Sequence, residues 1–194
     1  MLFGILINVL KEILELSSSS DYDFRESACA EDPLRHLFPE WVHYYRTTWA
    51  IARYLQPTSI LEIGVRYGYS AQAFLHACPN ASYLGLDADS NTHGGVRGAI
   101  HWARNATRGH RADFLIADSQ AMVKLPDGEY DLIHVDGQQD GDGSLHDLEL
   151  ALSQGRFILF DGYFWTRDNF LAASPIPSSS LLTRLKRLSM AILA

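Results

Sequence analysis

The sequence lacks a disulfide framework, a membrane-spanning run and an excess of basic residues. It has only two cysteines among 194 residues, Cys29 and Cys78, which is typical of a chain in a reducing compartment. Its net charge of −7 is opposite in sign to that of proteins that bind nucleic-acid phosphates. Its eight histidines are not grouped at the spacing of metal ligands. We therefore expect a cytoplasmic protein that does not bind nucleic acid.

Two phosphate-binding motifs are also absent. The sequence contains no G-x-x-x-x-G-K-[ST] loop, which excludes a P-loop. The turn after the first predicted strand has Arg66 where a G-x-G-x-x-G dinucleotide turn has its second glycine. This difference disfavours an NAD-dependent oxidoreductase and favours a ligand without phosphates.

The two ends of the chain differ in composition from the middle. Residues 1–16 are apolar apart from one polar stripe at helical spacing, and the four serines of residues 17–20 are predicted to be a linker. Residues 174–180 contain two prolines and four serines, and a basic amphipathic helix is predicted after them. These breaks predict three parts: residues 1–20, a central domain of residues 21–173, and a tail of residues 174–194.

The apolar run at the start is shorter than the roughly 18 residues of a membrane-spanning helix. No positive charge precedes it and no small-residue cleavage site follows it, so a secretory signal is not expected. We expect an amphipathic helix that docks on the central domain or on a second copy of the chain, which leaves a homodimer open. Contact with a membrane surface is the less favoured interpretation, because the polar stripe carries little charge.

The middle of the chain alternates β-rich runs with helical patterns. This alternation predicts an α/β fold with a Rossmann-like, doubly wound and mostly parallel sheet. No pair of closing strands is evident after residue 161, so the last two strands of this fold are expected to be missing or altered. Helices are predicted after Pro39, over residues 69–77 and 96–104, and around residues 145–152. The predicted strands are residues 59–64, 82–87, 112–117, 130–136 and 156–161.

Four of the five predicted strands end at or just before an aspartate. These residues are Asp87, Asp118, Asp136 and Asp161. A single aspartate at such a place is most often a helix cap. In open parallel sheets, however, ligands bind outside the carboxyl ends of the strands, and four aspartates along that edge indicate a binding site.

The first turn reads Glu-Ile-Gly-Val-Arg-Tyr-Gly-Tyr-Ser over residues 62–70. An adenosine with a charged amino-acid tail fits this turn better than a pyrophosphate does. Gly64 is expected to let the backbone pass under the ligand, and Glu62 to hold the turn and meet an ammonium group. Asp87 is expected to accept hydrogen bonds from both ribose hydroxyls.

Residues 61–70 resemble the first motif of class I S-adenosylmethionine-dependent methyltransferases. The spacing is especially similar to that of catechol-type and of macrolide-sugar or cephalosporin-type O-methyltransferases, and the resemblance runs from about residue 41 to residue 165. It implies S-adenosylmethionine as the cofactor, with Ser70 at its carboxylate and Asp87 at its ribose. Ser119 and Gln120 would contact the adenine. The cofactor-binding residues predicted in this way are Glu62, Gly64, Gly68, Ser70, Asp87, Asp118, Ser119 and Gln120.

Residues 135–139, Val-Asp-Gly-Gln-Gln, resemble the fourth-strand motif of these O-methyltransferases. The metal-dependent members of the family bind Mg²⁺ at the ends of the fourth and fifth strands, so the resemblance implies Asp136 and Asp161 as its ligands in this chain. Mg²⁺ takes hard oxygen ligands and lowers the pKa of a bound hydroxyl. The sequence departs from the family at two positions. Gly162 stands where a second acidic or amide ligand is found, and Gln139 stands where the family often has a His or Lys base.

Asp136 and Gln139 are the residues predicted at the catalytic position. An amide cannot remove a proton at neutral pH, so the general base is left open. Asp140, Asp142 and His146 lie nearby in sequence, and His134 shares a strand face with Asp136.

The sequence therefore predicts a methyltransferase that acts on the hydroxyl of a small-molecule acceptor, such as a sugar, an antibiotic or a phenol, with or without magnesium. The alternative is a non-catalytic nucleotide-binding or scaffold protein derived from a methyltransferase. Gln139 and Gly162 favour that alternative.

Overall fold

The described residues form a six-stranded parallel sheet with helices on both faces. The computed structural model describes residues 2–126, 128–162 and 189–190. The sheet order is β3-β2-β1-β4-β5-β6, and every pair is parallel. The strands are β1 (Ser59–Ile63), β2 (Ser82–Asp87), β3 (Arg111–Ile116), β4 (Tyr130–Val135), β5 (Gly155–Phe160) and β6 (Ser189–Met190). The helices are α1 (Leu2–Ser19), α2 (Phe38–Leu55), α3 (Tyr69–Ala77), α4 (Ala99–Ala106) and α5 (Asp142–Gln154), with 3-10 turns at Phe24–Ser27, Arg35–Leu37 and Ser119–Ala121.

The α/β fold and the parallel sheet predicted from the sequence are confirmed. The ends of β1 to β5 differ from the predicted ends by at most one residue, and α3 has the predicted bounds. Helix α4 begins three residues later than predicted. Gly98 immediately before it has a φ of +88°, which lies outside the range of a right-handed helix.

The core lies in two layers because side chains on a strand alternate between the two faces of the sheet. On one face, Ile60 and Leu132 are buried under α1, α2 and α3. On the other face, Leu61 and Ile133 are buried under α5.

The first helix packs against α2. Val9 and Ile13 of α1 are buried in the same apolar cluster as Ile51 of α2. The linker predicted at residues 17–20 is wrong for its first three residues, which are helical. The hydroxyls of Ser18 and Ser19 donate to the Glu15 carbonyl one turn earlier, and Ser17 Oγ lies 3.2 Å from Thr47 Oγ1 on α2.

The predicted tail helix needs a correction at Ser189–Met190, which is a strand. Its backbone pairs in parallel with Ile158 and Leu159 at the free edge of β5. The other residues of that prediction, 174–188 and 191–194, lie outside the described residues. Among the helices that the structure describes, none combines the length and apolar character needed to cross a membrane.

Candidate functional site

The carboxyl ends of β1 to β5 open into one cleft of about 1270 Å³. The side chains of α2 and the loop that follows β2 form the rest of its wall. Nine of the eleven site residues predicted from the sequence line this cleft: Gly64, Ser70, Asp87, Asp118, Ser119, Gln120, Asp136, Gln139 and Asp161. The other two, Glu62 and Gly68, lie behind its wall.

The two glycines of the first turn make room for protein atoms. Gly64 has a φ of +85°, and a Cβ there would lie 2.0 Å from the Asp136 carbonyl oxygen. Gly68 has a φ of +73°, and a Cβ there would lie 2.7 Å from the Cβ of Ala103 on α4. The close neighbour that requires glycine at position 64 is therefore the end of β4, whereas the sequence analysis expected a ligand there.

The Asp87 carboxylate holds the backbone of the first turn. Its Oδ2 accepts hydrogen bonds from the backbone N–H groups of Val65 at 2.7 Å and Arg66 at 2.8 Å, and its Oδ1 accepts from Asp89 at 2.6 Å. A carboxylate has about four acceptor positions. Three of these positions are therefore used within the protein, and the expected contact of Asp87 with the ribose hydroxyls stays a prediction.

Glu62 is sealed beneath the cleft. The hydroxyls of Ser70 and Tyr83 donate to its carboxylate, and His134 Nδ1 lies 2.8 Å from Oε1. Burial, and then the nearby Glu62 charge, hold the pKa of Tyr83 well above its ordinary value. The Glu62 side chain has no exposed surface. Its expected contact with an ammonium group is corrected accordingly, and its part in the site is to hold Ser70.

The Ser119–Ala121 turn is fixed at both ends. Asp118 accepts a hydrogen bond from the Gln120 backbone N–H at 3.0 Å, and the Gln120 amide donates to the Asp147 carboxylate at 3.0 Å. His146 Nε2 lies 3.0 Å from the Ser119 carbonyl oxygen. Burial raises the pKa of Asp147 to about 6. This turn is the cleft wall that the family resemblance assigns to the adenine.

Asp136 and Asp161 meet at the ends of β4 and β5. The Gln139 amide nitrogen lies 3.0 Å from Asp136 Oδ1 and 3.3 Å from Asp161 Oδ2. Burial raises the pKa of Asp136 well above its ordinary value, and the charges of Asp161 and Glu62 add to this effect. Two carboxyl groups in such contact are most stable when they share a proton or a cation.

The two departures from the family pattern are spatially linked. Gly162 has a φ of +69°, and a Cβ there would lie 2.6 Å from Gln139 Oε1. The Gln139 side chain thus lies where a side chain at position 162 would begin. A long amide at 139 and a residue without a side chain at 162 fit one another.

The carboxylate pair fits a magnesium ion. Asp136 and Asp161 supply oxygen ligands of the hard type that Mg²⁺ prefers, and Mg²⁺ usually keeps several waters in its remaining positions. No group of three or more His, Cys, Asp or Glu side chains forms a metal cluster within the residues that the structure describes. Asp136 and Asp161 are the residues that would hold such an ion in this cleft.

Sequence reasoning missed Tyr44, which lies on α2 and lines the cleft. Its hydroxyl oxygen is buried and has no hydrogen-bond partner among the described residues. Burial, and then the charges of Asp136 and Asp161, raise the pKa of Tyr44 well above its ordinary value, so the phenol keeps its proton. The only signal in the sequence was the aromatic run along the predicted lead helix, which is equally typical of a packed core.

Sequence reasoning also missed the partner of Arg66. Its Nη1 and Nη2 donate to Asp32 at 3.0 and 2.7 Å, and the Asp32 carboxylate accepts further bonds from the Leu34 backbone and the Tyr69 hydroxyl. The Asp32 side chain has no exposed surface. Arg66 therefore ties the segment before α2 to the first turn of the cleft.

The structure is similar to several solved methyltransferases. The SAH-bound methyltransferase PaMTH1 from Podospora anserina is 24% identical over 75% of this chain and 56% of that chain, with a TM-score of 0.47. An O-methyltransferase from Bacillus cereus in complex with SAH is 19% identical over 76% of this chain and 61% of that chain, with a TM-score of 0.43. The O-methyltransferase TomG from Streptomyces achromogenes, in complex with SAM, is 18% identical over 71% of this chain and 65% of that chain, with a TM-score of 0.46. The chain thus spans less than two thirds of the length of each.

Comparison of sequences gives the family. No curated protein is significantly similar to the chain. A family model described as a methyltransferase domain matches residues 61–163, which is more than half of the chain and includes the last three residues of β1 and all of β2 to β5. The chain therefore belongs to the methyltransferase-domain family.

Proposed function

We propose that the chain binds S-adenosylmethionine in this cleft and transfers its methyl group to a hydroxyl of a small molecule. The observation that carries the proposal is that one cleft holds both the polar turn residues suited to an adenosine and the carboxylate pair of Asp136 and Asp161. A donor and an acceptor bound there would lie side by side at the ends of the strands.

The cofactor half of the cleft extends from β1 to β3. The Asp87 carboxylate is suited to accept from the ribose, and the turn formed by Ser119 and Gln120 offers a wall for the adenine. Asp87 also holds the backbone of the first turn, so the ribose site and the path of the amino-acid tail are positioned by the same carboxylate.

The acceptor half lies between α2 and the ends of β4 and β5. Tyr44 keeps its proton and is suited to donate a hydrogen bond to an acceptor oxygen, while Asp136 and Asp161 are suited to attract a cation. When bound, magnesium would lower the pKa of the acceptor hydroxyl. A sulfonium is already an activated methyl donor, so holding donor and acceptor in line is most of the catalytic task.

A non-catalytic nucleotide-binding protein is the second candidate. The observation that favours it is the Gln139 amide, which donates to both carboxylates and cannot accept a proton at neutral pH. Such a protein would bind the cofactor in the same half of the cleft and would not turn it over.

Calorimetric titration with S-adenosylmethionine, with and without magnesium, tests the cofactor site. Asp87→Ala should weaken binding by roughly 1.5–3 kcal/mol, the worth of hydrogen bonds to a charged group. Asp113→Ala is the matched control, because Asp113 is an exposed aspartate of β3 outside the cleft. Absence of binding to the wild-type chain would overturn the proposal.

Release of S-adenosylhomocysteine separates the two candidates. The chain is incubated with S-adenosylmethionine, magnesium and a panel of sugars and phenols, and the product is measured by mass spectrometry. Product that depends on an added acceptor supports the enzyme, and loss of the magnesium effect in Asp161→Ala would assign the ion to the carboxylate pair. Tight cofactor binding without product across the panel supports the non-catalytic protein.

A further inference from the structure

We propose that the Gln139 amide competes with a metal ion for the Asp136 and Asp161 carboxylates, so that a cation binds the pair only by displacing this side chain. The inference rests on the proposed function, because it concerns the same carboxylate pair. It gives Gln139 a role that is neither that of a catalytic base nor that of a metal ligand. Gln139 instead sets the affinity of the site for a cation.

The Gln139 amide nitrogen contacts both carboxylates at once. It lies 3.0 Å from Asp136 Oδ1 and 3.3 Å from Asp161 Oδ2, and its two protons allow one hydrogen bond to each. A cation held by both aspartates also has to contact an oxygen of each carboxylate. The amide nitrogen and the ion therefore compete for the same two groups.

Gly162 lets the amide take this position. A Cβ at residue 162 would lie 2.6 Å from Gln139 Oε1 and 3.1 Å from its Nε2, so a side chain there would push the amide aside. The amide oxygen can only accept hydrogen bonds and the amide nitrogen can only donate them, so the nitrogen is the end that faces carboxylates. The two departures from the metal-dependent O-methyltransferases thus together place a donor at the carboxylate pair.

The charges around the pair favour such a donor. Two adjacent carboxylates repel each other, which makes a donor or a cation that contacts both of them favourable. In the described part of the cleft wall, Arg66 is the only lysine or arginine, and it is paired with Asp32 at 2.7 Å. The neutral amide of Gln139 offers two N–H dipoles, whereas a divalent ion offers two positive charges. An ion can therefore displace the amide, but it has to break two hydrogen bonds to do so.

This competition predicts the sign of a substitution at residue 139. Hydrogen bonds to charged groups are stronger than those between neutral groups, so the two that Gln139 makes lower the affinity of the pair for an ion. Removal of the amide should strengthen cation binding. A Gln139 side chain that served as a metal ligand through Oε1 would have the opposite effect, because its removal would weaken cation binding.

Titration with Mn²⁺ tests the inference. Mn²⁺ takes the same kind of oxygen ligands as Mg²⁺, and its unbound form is counted by electron paramagnetic resonance. The variants are Gln139→Ala, which removes the amide, and Gln139→Met, which keeps most of its length without a donor. Gln138→Ala is the matched control, because the adjacent Gln138 amide donates to Asp140 instead. Asp161→Ala assigns the ion to the pair.

We expect both Gln139 variants to lower the dissociation constant for Mn²⁺ by roughly 10- to 100-fold, and Gln138→Ala to leave it unchanged. Asp161→Ala should abolish the binding. An unchanged or raised constant in the Gln139 variants overturns the inference, as does binding that survives Asp161→Ala. A gain in Gln139→Ala alone also overturns it, because bulk rather than hydrogen bonding would then exclude the ion. Absence of Mn²⁺ binding in every variant has the same consequence.

Nuclear magnetic resonance of side-chain amides gives a second readout, on the wild-type chain itself. The Gln139 amide signals, identified by their absence from Gln139→Ala, should shift when the protein is saturated with Mg²⁺. Signals that stay in place while the ion binds overturn the inference. Titration of the same variants with S-adenosylmethionine separates the two proposals. Cofactor binding without any gain in metal affinity refutes the role of Gln139 alone, whereas a wild-type chain that binds no cofactor refutes the proposed function.

Discussion

Glu62 and His134 face each other in register on β1 and β4, with His134 Nδ1 2.8 Å from the Glu62 carboxylate. Neither side chain has any exposed surface. Because Ser70 donates to the same carboxylate, this pair connects the centre of the sheet to the first turn of α3. The polar groups beneath the cleft therefore contribute to the fold as well as to the shape of the site.

His134→Ala should be strongly destabilising. The substitution removes a fully buried ring whose centroid lies 5.4 Å from that of the Phe74 ring. It also takes one partner away from the Glu62 carboxylate. We expect the free energy of unfolding to fall by roughly 3–5 kcal/mol, as for a broken buried pair. Urea unfolding measures it. His110→Ala, at an exposed histidine, should change the same quantity by no more than about 0.5 kcal/mol. Equal small losses in both variants would contradict a stabilising role for the pair.

Asp147 should make stability depend on pH. Burial raises its pKa from 3.8 to about 6, so the folded protein binds this proton more tightly than the unfolded chain does. Its contribution to the free energy of unfolding is fully present below pH 4 and is lost as the pH rises through 6, a change of roughly 3 kcal/mol. Asp147→Asn cannot ionise and should remove that fall.

Chemical unfolding at pH 4.5 and pH 7.5 measures the effect of Asp147. The matched control is Asp113→Asn on the exposed edge strand β3, which should keep the pH dependence of the wild type. If Asp147→Asn and the wild type lose the same free energy between the two pH values, the raised pKa is refuted.

Gly64→Ala and Gly98→Ala should differ greatly in cost although both glycines have a φ near +85°. A Cβ at Gly98 has no atom within 4 Å, so only the left-handed backbone opposes it, at about 1–2 kcal/mol. A Cβ at Gly64 would lie 2.0 Å from the Asp136 carbonyl oxygen, and we expect a loss of roughly 4 kcal/mol or more. Thermal unfolding of the two variants measures the difference. Similar melting temperatures would show that the contact between β1 and β4 relaxes freely.

Tyr44→Phe should leave the fold as stable or more stable and lower turnover. Its hydroxyl is buried without a partner among the described residues, so its removal gains up to about 1 kcal/mol of folding free energy. Tyr69→Phe is the matched control. It loses the bonds of the Tyr69 hydroxyl to Asp32 and to the Cys29 backbone, and should cost roughly 1–2 kcal/mol.

For Tyr44, the decisive pair of measurements is unfolding free energy and acceptor-dependent formation of S-adenosylhomocysteine. We expect Tyr44→Phe to keep its affinity for S-adenosylmethionine and to lose turnover. Full turnover in this variant would rule out Tyr44 as a donor to the acceptor oxygen.

The strands could be predicted from sequence because the residues that identify each strand are consecutive in the chain. Buried parallel strands are continuous apolar runs, and an aspartate at or just after the carboxyl end of four of the five predicted strands marks the edge where the cleft opens. Reliance on consecutive residues also explains the wrong prediction of a linker at residues 17–20. The serines after Leu16 have the composition of a linker, and only their hydrogen bonds to Glu15 and to Thr47 on α2 show that the helix continues through Ser19.

Partners that are distant in the chain could not be predicted. Asp32 and Arg66 are 34 positions apart, and no periodicity links them. Glu62 was assigned to the ligand because it lies in the first motif, but alternation along β1 turns its side chain into the sheet toward His134 on β4. Gln139 and Gly162 looked like two independent losses, whereas their packing makes them one arrangement.

The absence of a side chain at Gly64 lets β1 and β4 touch backbone to backbone at the centre of the cleft. The first turn and Asp136 are consequently packed against each other, so an insertion or a bulky residue in either segment would displace both. Substitutions meant to change the acceptor should therefore leave these two segments unchanged. Helix α2 is the better place for them, because Trp41, Tyr44 and Tyr45 contribute side chains to the cleft wall.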